Sequence, residues 1–349
     1  MRYQTFDSDH AFEDRLKRVC PDKIDIGAVY NIKPTKMSSK SEHLAPESRE
    51  LVFDVDLTDY DDIRTCCNKT TICPKCWGFM RVAMKIIHRA LTEDFGFRHI
   101  MWVFSGGRGI HAWVCDKRAR SLSNEGRRAI ANYLTITRPG GPRRVVLPQT
   151  LHPSISDVME LVEEAFATTV LGQQDILNSD KKAAILENLP EDIRNELQEK
   201  WESTANYVSS QTRWEQLEYS VSKRQKQAKG KEATLLATLV RDLKLHCCFP
   251  RLDVHVSTSM NHLLKAPFCI HPRSRKICVP ISLDQFDSFD PESVPTDYTL
   301  ISELNKDSSP GGSYTAKKTS VWPYIQTFQS FVDALLADQP KKHIGSLDF

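Results

Sequence analysis

The 349 residues contain only fourteen glycines, with no periodic spacing, and no long apolar run. A collagen-like chain is excluded by the first absence. No stretch approaches the roughly 20 apolar residues of a membrane-spanning helix. The opening MRYQTFDSDHAFEDRLKRV carries charges where a secretory signal has its apolar centre. An intracellular chain is the expectation, with its ten cysteines reduced. There is also no excess of either charge. Against 47 Lys and Arg stand 45 Asp and Glu, a formal net charge of +2. Nucleic-acid-binding proteins usually advertise a basic surface, so the total argues against such a partner. A total, however, says nothing of distribution. What is present is ordinary for a globular protein, 40% hydrophobic and 26% charged residues. The length suits two structural units or one elaborated one.

Along the chain, apolar spacing predicts a short helix over 12–19, a strand-like run at 23–30 and a loop over 36–49. A strand, LVFDVDLTD, begins at 51, and a cysteine-dense loop covers 66–76. Helical spacing recurs over 77–95, with Gly96 placed to end the helix. IMWVFS and IHAWVC read as strands around the turn GGRG. Periodic stretches near 123–136, 155–170, 181–200 and 232–245 make the middle mainly helical, with breaks at 139–142 and Gly230. RLDVHV reads as a further strand, KDSSPGGSYTA as a linker, and 324–336 as a last helix. Strands, then helices, then strands again predict a mixed α/β core with a helical insertion. Local charge is less balanced than the total. From 98 to 144 ten Lys and Arg face two acids, a local charge of +8. Between 54 and 62 lie five aspartates and no base.

Side chains alternate along a strand. Leu51, Phe53, Val55 and Leu57 therefore share a core face, and Val52, Asp54, Asp56 and Thr58 the other. Two carboxylates held that close suit a Mg²⁺ or Mn²⁺ ion, and a solvated acidic strand is the plain alternative. In RLDVHV the same alternation sets Arg251, Asp253 and His255 on one face, where Asp253 offers a third carboxylate or a partner for Arg251. Three such aspartates could hold two divalent ions for phosphoryl transfer. The turn SGGRGIH offers backbone N–H groups, the Ser105 hydroxyl and a forked Arg108 to an anion, although most Gly-rich hairpins are only hairpins. His111 on the following strand, and Lys265 and His271 in NHLLKAPFCIHP, could add contacts. Cys66, Cys67, Cys73 and Cys76 put four thiols within eleven residues, a set suited to one structural Zn²⁺.

In this order, KIDIGAVY (23–30), ELVFDVDLTDYDD (50–62), CC…CPKCW (66–77), DFGFRHIMWVFSGGRGIHAWVCD (94–116) and CFPRLDVHVSTSMNHLLKAPFCIHP (248–272) resemble the small catalytic subunits of eukaryotic DNA primase, in the archaeo-eukaryotic primase superfamily. The resemblance covers nearly the whole chain. It implies a catalytic core over 1–150 with a zinc module at 64–78, a helical subdomain over 151–245, and the rest of the core over 246–305. A linker over 306–320 and a C-terminal helix and tail over 321–349 follow. It implies synthesis of short RNA primers on single-stranded DNA from ribonucleoside triphosphates, in the nucleus.

Further implications fall on single residues. Asp54, Asp56 and Asp253 match the carboxylates for two Mg²⁺ or Mn²⁺ ions. Ser105, Gly106, Arg108, His111, Lys265 and His271 match the triphosphate contacts, and His262, Leu263 and Leu264 line the nucleotide. Arg2, Lys23, Asp25 and Gly27 border the site, and the four cysteines match the zinc ligands. The implied partners are a large primase subunit carrying an iron–sulfur cluster, and DNA polymerase α with its accessory subunit. Two departures stand out. Gly107 replaces a second arginine of the family turn, removing one triphosphate contact. Relatives also carry roughly 50 residues before the position of Met1, so a thinner N-terminal edge is expected. The same carboxylates would serve a metal-dependent nuclease, and a zinc-stabilised scaffold without activity is the other alternative.

Overall fold

The computed structural model describes residues 4–32, 44–136, 145–204, 206–306 and 315–338. Arg2, the arginines at 138, 143 and 144, the break at 139–142, most of the 306–320 linker and the end of the tail lie outside them.

Eight strands are found among the described residues: β1 Asp25–Ile26, β2 Val29–Tyr30, β3 Pro46–Ser48, β4 Leu51–Asp56, β5 Ile100–Phe104, β6 Gly109–Val114, β7 Leu264–Lys265 and β8 Pro280–Ile281. β4, β6, β5 and β8 lie in that order in one antiparallel sheet. β1 pairs with β7, and β2 with β3. The helices are α1 Asp9–Val19, α2 Pro74–Arg89, α3 Lys117–Arg120, α4 Asn124–Tyr133, α5 Pro153–Ser156, α6 Met159–Ala165, α7 Ala183–Leu186, α8 Glu191–Glu202, α9 Ser210–Gln225, α10 Gly230–Cys248, α11 Val254–Thr258, α12 Asp297–Lys306 and α13 Trp322–Ala337.

The sheet is buried on both faces, because each face carries its own apolar set. Leu51, Phe53, Val55, Trp102, Phe104 and Ile110 meet α2 and the helices behind it in one large core. Trp77 and Phe79 of α2 fill it, Trp77 against Phe104 and Phe79 stacked on Tyr60. Each such buried side chain stabilises by about 1.5–3 kcal/mol. Val52, Met101, Val103 and Trp113 face the other way, into a smaller cluster with Val256, Leu264 and Cys269, against which Phe328, Phe331 and Leu335 of α13 pack. α6 to α10 join the larger core, so the helical stretch shares apolar packing with the sheet.

The structure departs from the sequence reading in several places. RLDVHV is no strand: Asp253 caps α11, its carboxylate accepting the His255 N–H at 3.0 Å. Thr58 also leaves its expected strand face, because the chain turns into a 3-10 segment, Leu57–Tyr60, that Asp56 caps. KIDIGAVY divides into β1 and β2. The stretch at 181–200 breaks into α7 and α8 around Pro190, which cannot continue a helix. Gly230 starts α10 instead of merely interrupting the chain. Three helices, α3, α9 and α12, and the edge strand β8 escaped the sequence pattern, and β3 lies in the stretch read as a loop.

Candidate active site and cysteine cluster

β4 and β6 set the geometry. In their register Asp54 faces His111 and Asp56 faces Gly109. The hairpin between β5 and β6 therefore brings its turn to the end of β4 that carries the carboxylates. Ser105 closes the turn: its N–H donates to Gly109 O at 2.9 Å. Its hydroxyl oxygen accepts from Gly107 at 3.3 Å and Gly109 at 3.1 Å. Arg108 forks onto Asp56, its Nε 3.1 Å from Oδ1 and its Nη2 3.1 Å from Oδ2. Thr58 donates to Asp56 Oδ1 through its N–H, 2.8 Å, and its hydroxyl, 2.7 Å. Burial opposes ionisation of Asp56, yet these bonds and the Arg108 charge hold its carboxyl below the usual range.

Asp54 differs from its neighbour. Burial first, then the Asp56, Asp253 and Asp59 charges, push its carboxyl up to about 7 against the pull of Lys265. The group is not sealed off, for its side chain keeps 28% exposure. His111 Nε2 lies 3.6 Å from Asp54 Oδ1. Burial and Lys265 push His111 down to about 3, so the ring is neutral. Asp253, away from any strand, still reaches the site, because its N–H donates to Asp54 O at 3.0 Å. Arg251 does not pair with it. That side chain stretches over Tyr60 and donates to Asp59 O and the Asp62 carboxylate, fastening the 251–253 segment to the end of β4. Among the described residues the cysteines are the one set of three or more ligand atoms within 4.8 Å of one another, and the three aspartates do not converge as tightly.

The 262–276 segment forms the opposite wall. β7 aligns Lys265 with Asp25 of β1 and Leu264 with Ile26. Lys23 is ion-paired to Asp25 at 3.2 Å. Lys265 donates to Ser105 O, and the Cys278 thiol reaches the same oxygen at 3.1 Å. Leu264 is buried, Leu263 exposed, and His262 bends back so that its N–H meets Ser259 O at 3.3 Å. A Cβ on Gly27 would stand 2.9 Å from Leu263. His271 lies on the turn: a Cβ on Gly107 would stand 2.7 Å from its Nε2, and one on Gly106 2.9 Å from its Cβ. The glycine at 107 thus admits the His271 ring where a larger residue would hold it off. Every described residue anticipated for the nucleotide comes from this turn, from β6 or from these wall segments.

The four cysteine sulfurs lie within 4.8 Å of one another. A tetrahedral zinc with Zn–S bonds of about 2.3 Å needs sulfurs about 3.8 Å apart, which the cluster can meet by small adjustment. The thiols are interdependent. Contact with Cys76 above all pulls Cys66 down to about 5, while burial and the adjacent sulfurs push Cys67 up to about 12 and raise Cys76 as well. The Cys66 thiolate forms easily while Cys67 and Cys76 resist, a donor set that a dication completes. Residues that the sequence did not advertise hold this loop. Buried Gln174 accepts from the Thr65 N–H at 2.7 Å and donates to Lys75 O at 3.0 Å and Cys66 Sγ at 3.4 Å. Arg64, also buried, ties Asp61 to Thr71 O.

The basic window disperses. Arg127 is buried and donates to Glu50 O at 2.9 Å, and Arg118 caps the Phe95 and Gly96 carbonyls. Lys117 and Arg128 are exposed. No described helix is long and apolar enough to cross a membrane.

Residues 53–283 match the family model for the DNA primase small subunit. The chain is 40% identical to the DNA primase small subunit of Schizosaccharomyces pombe over 319 residues, 88% of this chain and 69% of that one. It is 38% identical to that of Drosophila melanogaster, covering 97% and 82% of the two chains, and 37% identical to that of Saccharomyces cerevisiae, covering 99% and 82%. With matched residues that include β4 from Phe53 onward, the hairpin turn, the cysteine cluster and Asp253, this chain belongs to the DNA primase small subunit family.

Proposed function

We propose that this chain is a catalytic subunit of DNA primase, joining ribonucleoside triphosphates into RNA primers on a single-stranded DNA template. The observation that carries the reading is the register of β4 and β6, which sets the Asp54–Asp56 pair beside the turn 105–108. Asp54, Asp56 and Asp253 are the residues to hold two Mg²⁺ or Mn²⁺ ions. Their fit rests on three hard oxygen donors: to the burial that chiefly raises Asp54 to about 7, Asp56 and Asp253 add a charge repulsion that divalent cations relieve. Bound there, such ions supply activation of the primer 3′-hydroxyl and neutralisation of the leaving pyrophosphate.

The protein's own groups bind and orient. Arg108, now on Asp56, is the forked donor for the triphosphate, with Lys265 as a second cation. Ser105 holds the turn so that its glycine N–H groups face an anion. His111 and His271 are both pushed to low pKa and so act as neutral donors. His262, Leu263 and Leu264 line the nucleotide, and Asp25, opposite Lys265, borders it. Arg2 belongs to the same border in this reading. The cysteines hold one structural Zn²⁺, closed by four protein ligands. The chain works in the nucleus with a large primase subunit, which carries the iron–sulfur cluster, and with DNA polymerase α and its accessory subunit. The test incubates the chain with single-stranded DNA, the four ribonucleotides and Mn²⁺. New oligoribonucleotide is expected; shortened template alone would establish a nuclease instead.

A further inference from the structure

His271 opens a tight turn. Its N–H donates to Lys276 O at 2.9 Å and its carbonyl accepts from Arg275 N–H at 2.9 Å. Arg275 takes a left-handed φ of 62°. This folding carries Ser274 back over the ring. The Ser274 N–H donates to His271 Nδ1 at 3.2 Å, and the Ser274 hydroxyl oxygen lies 3.1 Å from the same nitrogen. That hydroxyl donates in turn to Gly106 O, in the hairpin turn, and accepts from Lys276 N–H at 3.3 Å. One serine therefore bridges the imidazole and the backbone of the turn.

The tautomer follows. A backbone N–H always presents a proton, so the Nδ1 facing it must present its lone pair. The ring's own proton then sits on Nε2. That nitrogen is the one lying over Gly107, in space that a Cβ would take. The surroundings keep the ring neutral: burial first, then Lys265, Arg108 and Arg273, against the pull of Asp56.

We propose that Ser274 is a positioning residue for the nucleotide: its backbone N–H fixes His271 as the Nε2–H tautomer, and its hydroxyl ties the segment that holds the ring to the 105–108 turn, so that Nε2–H donates to the triphosphate. This rests on reading that turn as the triphosphate site. Neither a phosphate motif nor the resemblance singles out Ser274; only the folded turn does.

The test measures ATP binding with Mn²⁺, and KM and kcat for primer synthesis, on the full chain. Ser274→Ala is expected to weaken ATP binding about fivefold, the effect of one lost hydrogen bond, with KM rising by a like factor and kcat moving less. Ser274→Thr should restore binding. In a His271→Ala background the alanine at 274 should add under about twofold, since its effect runs through the ring. Nitrogen NMR of the histidine-labelled chain at pH 7 should show His271 protonated on Nε2 alone. Protonation on Nδ1, or an equal loss in both backgrounds, would overturn the proposal. If His271→Ala leaves ATP binding unchanged, the triphosphate reading of the turn fails instead, while the NMR still decides what Ser274 does to the ring.

Discussion

Asp54 shows most plainly how one side chain can be costly to the fold and, in the proposed function, central to the chemistry. Its carboxyl is raised to about 7 in the folded chain, against about 3.9 when unfolded. The folded state therefore holds the proton longer, and the charge weakens the fold as pH rises through that window. Asp54→Asn is expected to melt no lower than the parent protein at pH 8 and to lose at least about a hundredfold in primer synthesis, more than a lost outer-shell group costs a metal site. Retained synthesis would remove the aspartate from the mechanism. Asp175 is the opposite case. Burial opposes its charge, but bonds from Ser210, Asn178 and Tyr207 outweigh that and lower its pKa. Its contribution is present above about pH 4 and is lost as pH falls toward the folded value. Asp175→Asn should flatten the acid side of the melting-temperature profile; an unchanged slope between pH 5 and pH 3 would contradict this.

At the scale of elements, the cysteine loop depends on a helix far from it in sequence. Gln174 leaves the helical stretch to hold Thr65, Cys66 and Lys75. Elemental analysis should find about one zinc per chain, and Gln174→Ala should weaken zinc about 10–100-fold in chelator competition, as for other groups that orient ligands. Equal zinc affinity would show that the loop holds itself. The packing is as strict nearby. A Cβ on Gly78 of α2 would stand 2.2 Å from Thr169 Oγ1, so Gly78→Ala should destabilise by about 1–3 kcal/mol in denaturant titration. What the sequence made legible follows the strength of local pattern. β4 to β6 and α2 carry dense apolar repeats and lie where the spacing predicts. α9 buries only Trp214, Leu217 and Val221 among its large apolar residues, too few to stand out from its polar surroundings. Around Asp253 the valines alternate as in a strand, but a lone aspartate followed by a turn is also a helix cap, and the cap prevails.

Over the whole molecule, the net charge of +2 conceals a local separation of charge. The aspartates gather at the end of β4, while buried Arg127 is spent on backbone carbonyls inside the fold and exposed Arg118 on the Phe95 and Gly96 carbonyls. Template affinity should therefore fall with rising salt, with a slope reflecting the window's exposed cations, among the described residues Arg98, Lys117, Arg118 and Arg128, and not its buried ones. A slope equivalent to eight or more phosphate contacts would contradict that. The site draws on four distant stretches, 23–27, 54–56, 105–111 and 253–276, and the sequence could nominate their residues but not the bonds that join them. Ser274 and Gln174 act only through such bonds, which is why no motif announced them. The most direct measurement of the central claim is the yield of pyrophosphate against nucleotide incorporated, on single-stranded DNA with Mn²⁺. One pyrophosphate per phosphodiester bond formed, lost in Asp54→Asn, is the predicted result. Template breakdown without pyrophosphate would contradict the account.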